Sequence, residues 1–163
     1  MNESYTAPSN TSIGHVHLKV CDLDLALEFY RDLLGFELTT MYGDQAAFLS
    51  AGGYHHHIGL NTWHSEGGSP APQSSPGLYH TAFLYPTRKD LAVILKRIID
   101  EGYPISGASD HGVSEAIYLN DPDGNGVELY RDRPHDEWKY TEDGSVKMVT
   151  NPLDVQDLLS ELD

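Results

Sequence analysis

The sequence predicts an α+β fold in which two βαβββ modules form a curved mixed sheet around a cleft, followed by a C-terminal tail with a short helix. Two observations carry this prediction. Segments with the periods of a strand, a helix and three more strands occur in the same order twice along the 163 residues. A histidine also occupies the same place in the first strand of each copy, as His15 and His80. Neither copy can cover its own sheet face, so we expect the two to pack together or to pair edge to edge.

The first module is predicted to cover residues 13–62, after a polar, flexible arm at residues 1–12. Asp22 can cap a helix that ends at Gly35. The apolar side chains of this helix recur every three or four positions, as Leu25, Ala26, Phe29, Tyr30, Leu33 and Leu34. The strand before the helix spans residues 13–21, and the three strands after it span residues 36–42, 45–50 and 54–62.

The second module is predicted to cover residues 77–133, after a linker or mobile cover at residues 63–76 that is rich in proline and glycine. Thr87 and Asp90 resemble a capping box at the start of its helix, which ends at Gly102. The buried stripe of the helix consists of Leu91, Ile94, Leu95, Ile98 and Ile99. The four strands of this copy span residues 78–85, 105–110, 115–120 and 125–131.

Residues 134–163 form the tail, which begins with polar residues. Pro152 suits the first turn of a helix. The apolar residues after it have the spacing of a short amphipathic helix, as Val155, Leu158, Leu159 and Leu162. This helix packs back on the domain or meets a partner subunit, which leaves a homodimer open.

Composition excludes several classes of function. The formal net charge of −15 argues against nucleic acid and against anionic membranes as partners. A single cysteine, Cys21, rules out an intrachain disulfide framework. The sequence shows no segment with the pattern of a signal peptide or a bilayer span, so we expect a soluble, cytoplasmic protein.

Two histidines and one glutamate carry the strongest chemical signal. Alternation along the first strand places His15 on a polar face, opposite an apolar one, and His80 has the matching place in the second copy. Glu128 lies in the apolar last strand of the second module, where an unpaired carboxylate is costly. A single histidine of this kind is more often a solvated surface residue, but the repeated position favours a shared role. Two imidazoles and a carboxylate suit a facial triad for Fe(II) or a similar metal. We therefore predict that the cleft binds a metal through these three residues.

Three segments of the chain are together similar to the vicinal oxygen chelate superfamily, which includes glyoxalase I, type I extradiol dioxygenases, and fosfomycin- and bleomycin-resistance proteins. These segments are residues 15–23, 77–83 and 121–130. The resemblance covers about residues 13–133 and is greatest for members like catechol 2,3-dioxygenase. It implies a metal held by the same His, His, Glu set at these positions.

The resemblance also implies several roles around the metal. Glyoxalase I takes a fourth, carboxylate ligand at the place that Gly59 occupies in this chain. Glycine supplies no ligand, and a three-ligand site leaves room for a substrate and O₂. Tyr118 precedes Glu128 by the interval of a tyrosine that contacts substrate in extradiol enzymes, although a tyrosine that only packs on the sheet fits equally well. His111 is a further candidate, but its spacing to Tyr118 is two residues shorter than in dioxygenases.

The run of residues 54–60 resembles the strand that carries the acid–base histidine of extradiol enzymes. The family spacing to Gly59 favours His56. Strand alternation relative to Gly59 instead favours His55 or His57 facing the metal. Both His56 and His57 therefore stay candidates for the catalytic base.

The activity that the resemblance implies is ring cleavage of a catechol-like diol by O₂. Fe(II) is the expected metal, with Mn, Zn, Ni or Co as other candidates. Familiar extradiol enzymes contain two double modules, whereas this chain has one, so we expect either a minimal enzyme or a cleft that a second subunit completes. The alternatives are a glyoxalase-like isomerase, a thiol transferase like the fosfomycin-resistance proteins, and a non-catalytic binding module. Anionic substrates of the transferase would require lysine or arginine near the metal, and the middle strands offer almost none.

Overall fold

The computed structural model describes residues 4–163, so the first three residues of the predicted arm lie outside the described residues. Residues 4–12 are exposed and lie outside helices and strands. The described chain contains a four-stranded and a five-stranded mixed sheet, with helices packed against them. Within residues 4–163 no strand of one sheet pairs with a strand of the other. The α+β class and the mixed sheets are confirmed, but each module has a sheet of its own.

The two sheets repeat one pattern of strand pairing. In the first, β1 (Val16–Lys19) is parallel to β4 (Ile58–Asn61), which continues antiparallel to β3 (Ala46–Ser50) and β2 (Glu37–Tyr42). In the second, β5 (His80–Leu84) is parallel to β8 (Gly126–Asp132), which continues antiparallel to β7 (Ser114–Asn120) and β6 (Gly107–Asp110). The internal repeat is therefore confirmed. The boundaries of the modules, the linker and the tail stay predictions.

The helices begin where the sequence places caps. The side chain of Asp22 accepts the N–H of Leu25 at 3.1 Å at the start of α1 (Leu23–Leu27), which continues as a π-helix (Glu28–Leu33). Thr87 caps α2 (Arg88–Asp100) by accepting the N–H of Asp90 at 3.1 Å. Each cap joins a side-chain oxygen to a backbone N–H only three residues further along the chain, so the local sequence is sufficient to predict it.

The C-terminal tail folds back on the second module. Its strand β9 (Asn151–Pro152) pairs antiparallel with β6, and α3 (Val155–Leu159) follows. Leu158 of α3 is fully buried in the shared core. The predicted terminal helix is therefore present, and it packs on its own domain.

One hydrophobic core joins the two modules. Buried side chains from α1, α2 and both sheets form a single cluster. Polar contacts cross between the modules at its edge: the Tyr30 hydroxyl donates to Asp121 Oδ2 at 2.9 Å, and Arg97 donates to the Asp32 carbonyl at 2.6 Å. The two sheets are thus held in one unit by helix packing.

Two local predictions are wrong. The strand predicted over residues 54–62 begins only at Ile58, and residues 54–57 are irregular. Ile99, placed in the buried stripe of α2, is 45% exposed, because the core contact of the helix ends with Ile98. No helix within residues 4–163 has the length and apolar character needed to cross a membrane.

Candidate metal centre

His80 and Glu128 meet on the second sheet. The parallel register pairs Ala82 of β5 with Glu128 of β8, and His80 with Gly126. Glycine is needed at position 126, since a Cβ there would overlap the carbonyl oxygen of Tyr79. His80 Nε2 lies 3.0 Å from Glu128 Oε2. Glu128 is only 9% exposed, so the neighbouring imidazole offsets part of the cost of burying its charge.

This pair fits a divalent metal. Two ligand atoms about 2.1 Å from one ion and at right angles to each other lie about 3.0 Å apart. The separation between His80 Nε2 and Glu128 Oε2 has that value, and imidazole with carboxylate is a donor set that suits Fe(II) and related ions. The residues present therefore fit the predicted metal at two of its three ligand positions.

The third predicted ligand, His15, does not join this pair. His15 precedes β1 on the first sheet, and its ring lies 4.3 Å from that of His56. Among the residues that the structure describes, no three His, Cys, Asp or Glu side chains are close enough to hold one metal ion. The role of His15 stays a prediction.

Tyr118 and His111 extend the site away from Glu128. The hydroxyl of Tyr118, on β7, lies 3.0 Å from Glu128 Oε1, and His111 Nε2 lies 2.6 Å from the same hydroxyl. Burial and the negative charge of Glu128 raise the pKa of Tyr118 well above its ordinary value, so the phenol keeps its proton at neutral pH. The structure thus brings together His80, Glu128, Tyr118 and His111, although the spacing of His111 differs from that in dioxygenases.

The histidines of residues 55–57 face different neighbours. The ring of His56 lies against His15, and its Nδ1 is 2.7 Å from His55 Nδ1. Burial and the charge of His15 lower the pKa of His56. His57 turns the other way, where its Nδ1 accepts the N–H of Ala51 at 3.2 Å. Strand alternation fails as a guide here because these residues precede β4. Of the two candidates for the base, the structure places His56, and not His57, beside a predicted metal ligand.

His17 is a neighbour of His15 and His56 that the sequence did not single out. It pairs with Gly59 across β1 and β4, and its ring covers that glycine. A Cβ at position 59 would lie 2.9 Å from His17 Cγ and Cδ2. The ring therefore fills the space that a fourth ligand at position 59 would need. One sequence signal could have pointed to His17: strand alternation places it on the same face as His15.

Comparison with known proteins supports the resemblance to the vicinal oxygen chelate superfamily. A model of the family described as Glyoxalase/Bleomycin resistance protein/Dioxygenase superfamily matches residues 12–129. The chain is 41% identical over 152 residues to catechol-2,3-dioxygenase from Bacillus subtilis (strain 168), covering 93% of this chain and 52% of that protein. It thus spans about half the length of this relative.

A second relative and a solved structure widen the comparison. The chain is 28% identical over 132 residues to the metallothiol transferase FosB of Staphylococcus epidermidis (strain ATCC 12228 / FDA PCI 1200), covering 80% of this chain and 88% of that protein. The crystal structure of a glyoxalase/dioxygenase from Nostoc punctiforme shares the fold, with a TM-score of 0.65 and 20% identity over 81% of this chain and 99% of that chain. The repeated sheets, the matched residues and these likenesses agree, and the chain belongs to the glyoxalase/bleomycin resistance protein/dioxygenase superfamily.

Proposed function

We propose that the chain is a metal-dependent oxygenase of the extradiol type, which cleaves the ring of a catechol-like diol with O₂. The observation that carries this proposal is the hydrogen-bonded row from Glu128 through Tyr118 to His111, beside His80. A phenol and an imidazole next to a pair of metal ligands can orient a diol oxygen and exchange a proton with it. The 41% identity to a catechol-2,3-dioxygenase supports the same assignment.

The metal would be held by His80 and Glu128, with His15 as the third proposed ligand. When bound, an ion such as Fe(II) supplies positive charge and open positions for the diol oxygens and O₂. The surrounding residues have separate tasks. Tyr118 holds a substrate oxygen in place, and His56 accepts the proton of the diol. His111 keeps the Tyr118 hydroxyl oriented from behind.

The alternatives have weaker support from the geometry. A glyoxalase-like isomerase takes a carboxylate as fourth ligand, and Gly59 supplies none at that place, where the ring of His17 lies against its backbone. A metallothiol transferase, as FosB is named, would need free cations near the metal to act on an anionic substrate. The arginines that follow Glu128 on β8 and after it are engaged elsewhere: Arg131 binds Glu115 at 2.8 Å, and Arg133 binds Asp110 at 2.7 Å. A binding module without a metal has no need of the buried carboxylate of Glu128.

Metal analysis followed by an oxygen-uptake assay tests the proposal. The purified chain is loaded anaerobically with Fe(II) and then given O₂ and a panel of catechols. We expect oxygen consumption, and loss of both metal and activity in His80→Ala and Glu128→Gln. The exposed His64 gives a matched control, since His64→Ala should keep both.

The possible outcomes separate the hypotheses. Unchanged metal binding in His80→Ala and Glu128→Gln would refute the metal centre itself. Stoichiometric metal without oxygen uptake on any diol would refute the oxygenase assignment. In that case, metal-dependent isomerisation or thiol transfer by the same preparation would decide between the remaining enzyme classes.

A further inference from the structure

One face of the first sheet carries a row of polar side chains that begins at His15. Alternation along β1 places His17 and Lys19 on the face of His15, opposite the apolar face that packs into the core. The contact between the ring of His17 and Gly59 agrees with this direction, because paired residues of neighbouring strands point to the same side of a sheet. Lys19 is exposed, so its ammonium lies in the open space above this row.

Lys19 is a cation without an acidic partner in a strongly acidic protein. The formal net charge is −15, yet the ion pairs within residues 4–163 do not include Lys19. Lys96 of α2, in contrast, binds Asp100 at 2.7 Å. In this described part of the chain, the four strands of the first sheet contain no other lysine or arginine. The histidine face of the first sheet thus has a single cation, and that cation is available to a ligand.

Aromatic rings line the same face beside Lys19. The ring of His17 lies 5.7 Å from that of Phe48 and 5.7 Å from that of Trp63, which is 45% exposed. Asn61 pairs with Lys19 across β1 and β4, and its Oδ1 accepts the N–H of Trp63 at 3.2 Å. The NH₂ group of Asn61 is therefore a donor on the same face as the ammonium. Flat rings followed by a cation and an amide donor suit an aromatic ligand with an anionic end.

The second sheet differs at the matching positions of the repeat. Two residues after the first histidine of each copy, the first sheet has His17 and the second has Ala82, which is exposed. Two residues further along, the first sheet has Lys19 and the second has Leu84, which is 55% exposed. A ligand between the two faces would therefore meet a positive charge from one sheet and an apolar surface from the other.

The separation between His15 and Lys19 decides where the anion would lie on the ligand. Strand residues rise about 3.3 Å each, so the Cα atoms of these two residues are about 13 Å apart. The stem of a lysine spans about 6 Å from ordinary bond lengths, so the ammonium stays several Å from a metal that His15 would bind. A single point charge at this distance suits a carboxylate at the far end of a substrate. It does not supply the cations that an anion bound at the metal itself would need.

We propose that Lys19 is a specificity-determining residue: its ammonium binds a carboxylate on a short side chain of the substrate, on the side of the ring away from the two hydroxyls. The substrate class is then an acidic catechol, and not an unsubstituted one. This inference rests on the proposed function, because the diol bound at the metal fixes the other end of the ligand. The preference for a carboxylate is a property of binding and can be measured without turnover.

Calorimetric titration of the full chain with two catechols tests the proposal. 3,4-Dihydroxyphenylacetate carries a carboxylate, and 4-ethylcatechol is a neutral ligand of similar size. The protein is loaded with Zn²⁺, which has no redox chemistry, so that binding is measured without turnover. We expect the acidic catechol to bind about fivefold more tightly than the neutral one, the effect of one partly exposed ion pair. Equal affinities, or no binding of the acidic catechol at millimolar concentration, would overturn the proposal.

Three variants test whether Lys19 causes the preference. Lys19→Met removes the charge at nearly constant length, and Lys19→Arg keeps it. Lys89→Met is the matched control, since it removes the same charge from an exposed position on α2. We expect Lys19→Met alone to raise the Kd of the acidic catechol about fivefold, with the Kd of the neutral catechol changed less than twofold.

Two results with these variants would contradict the role of Lys19. An equal rise in Kd for both catechols in Lys19→Met would indicate a structural effect in place of charge recognition. A loss of the same size in Lys89→Met would show that the net charge of the protein, and not the position of Lys19, sets the affinity. If Lys19→Met does not fold, the two wild-type affinities alone decide.

Oxygen uptake by the Fe(II)-loaded protein separates this inference from the proposed function. We expect Lys19→Met to raise KM for the acidic catechol with little change in kcat, because Lys19 binds the substrate away from the reacting atoms. A carboxylate preference that depends on Lys19, without oxygen uptake on any diol, would refute the proposed function and leave the anion site in place. Oxygen uptake with the same carboxylate preference in wild type and Lys19→Met would refute only the role of Lys19.

Discussion

Replacement of Gly59 by alanine tests whether the ring of His17 excludes a side chain at the fourth ligand position. The added Cβ would lie 2.9 Å from His17 Cγ and Cδ2, whereas carbon atoms in ordinary contact are about 3.5–4.0 Å apart. One of the two groups must therefore move by about 0.6 Å or more. Overpacking of this kind costs ~1–3 kcal/mol. His17 is exposed and can rotate, so we expect the lower end of that range.

A second effect of the same substitution has the opposite sign. Glycine inside a strand is less stable than alanine by about 0.5–1 kcal/mol, and Gly59 lies within β4. The free energy of unfolding of Gly59→Ala alone therefore changes by less than the steric cost. A double-mutant cycle with His17→Ala removes the backbone contribution, because that contribution is present in both backgrounds. We expect a coupling free energy of about 1 kcal/mol or more.

Urea unfolding of the four proteins in the cycle measures this coupling. His17→Ala should change the free energy of unfolding by no more than about 0.5 kcal/mol, since the residue is exposed. In that background, Gly59→Ala should stabilise the fold by about 0.5 kcal/mol. Gly14→Ala is a control whose Cβ would meet only the Tyr54 hydroxyl, at an ordinary 3.5 Å. Zero coupling between positions 17 and 59 would refute the argument that His17 blocks a fourth ligand.

Three further predictions concern stability. Leu158→Ala should lower the free energy of unfolding by about 2–5 kcal/mol in urea, because a fully buried leucine leaves a cavity. Glu115→Gln should cost about 3–5 kcal/mol by the same assay, because three arginines bind this buried carboxylate. Burial opposes the charge of Asp110, but the N–H of Gly112 and the guanidinium of Arg133 hold its pKa below the ordinary value. Its carboxylate therefore stabilises the fold above about pH 4, the ordinary aspartate range, and this contribution is lost as the pH falls through the lowered pKa. The Tm difference between wild type and Asp110→Asn should thus be constant near neutrality and shrink in acid.

Matched substitutions at exposed positions provide the controls. Leu78→Ala, at a leucine that is 59% exposed, should change the free energy of unfolding by no more than about 0.5 kcal/mol. Asp157→Asn removes an exposed partner of Arg88 and should cost no more than about 1 kcal/mol. Losses at these positions as large as those at Leu158 and Glu115 would contradict the assignment of stability to burial. A Tm difference for Asp110→Asn that grows in acid would reverse the predicted sign.

Local sequence predicted the elements whose signals act over a few residues. The caps at Asp22 and Thr87 bond to N–H groups three positions away, so residue type and spacing are sufficient to place them. The repeat was equally visible, because each copy carries the same succession of periods. The strand prediction for residues 54–57 was wrong. This run has histidines inside an apparent strand, yet the strand pairing begins at Ile58.

The sequence by itself determined the α+β class, the two repeated modules and the candidate ligands His80 and Glu128, because periodicity and residue chemistry are properties of the chain. Only the tertiary structure decided which atoms meet. It brought His80 and Glu128 together through a parallel pairing that joins distant strands, and it turned His56 toward His15. It also placed the Val149 carbonyl, a backbone atom with no signature in the sequence, against His111. Contacts of this kind depend on how helices and sheets pack across long separations, and no local period encodes that packing.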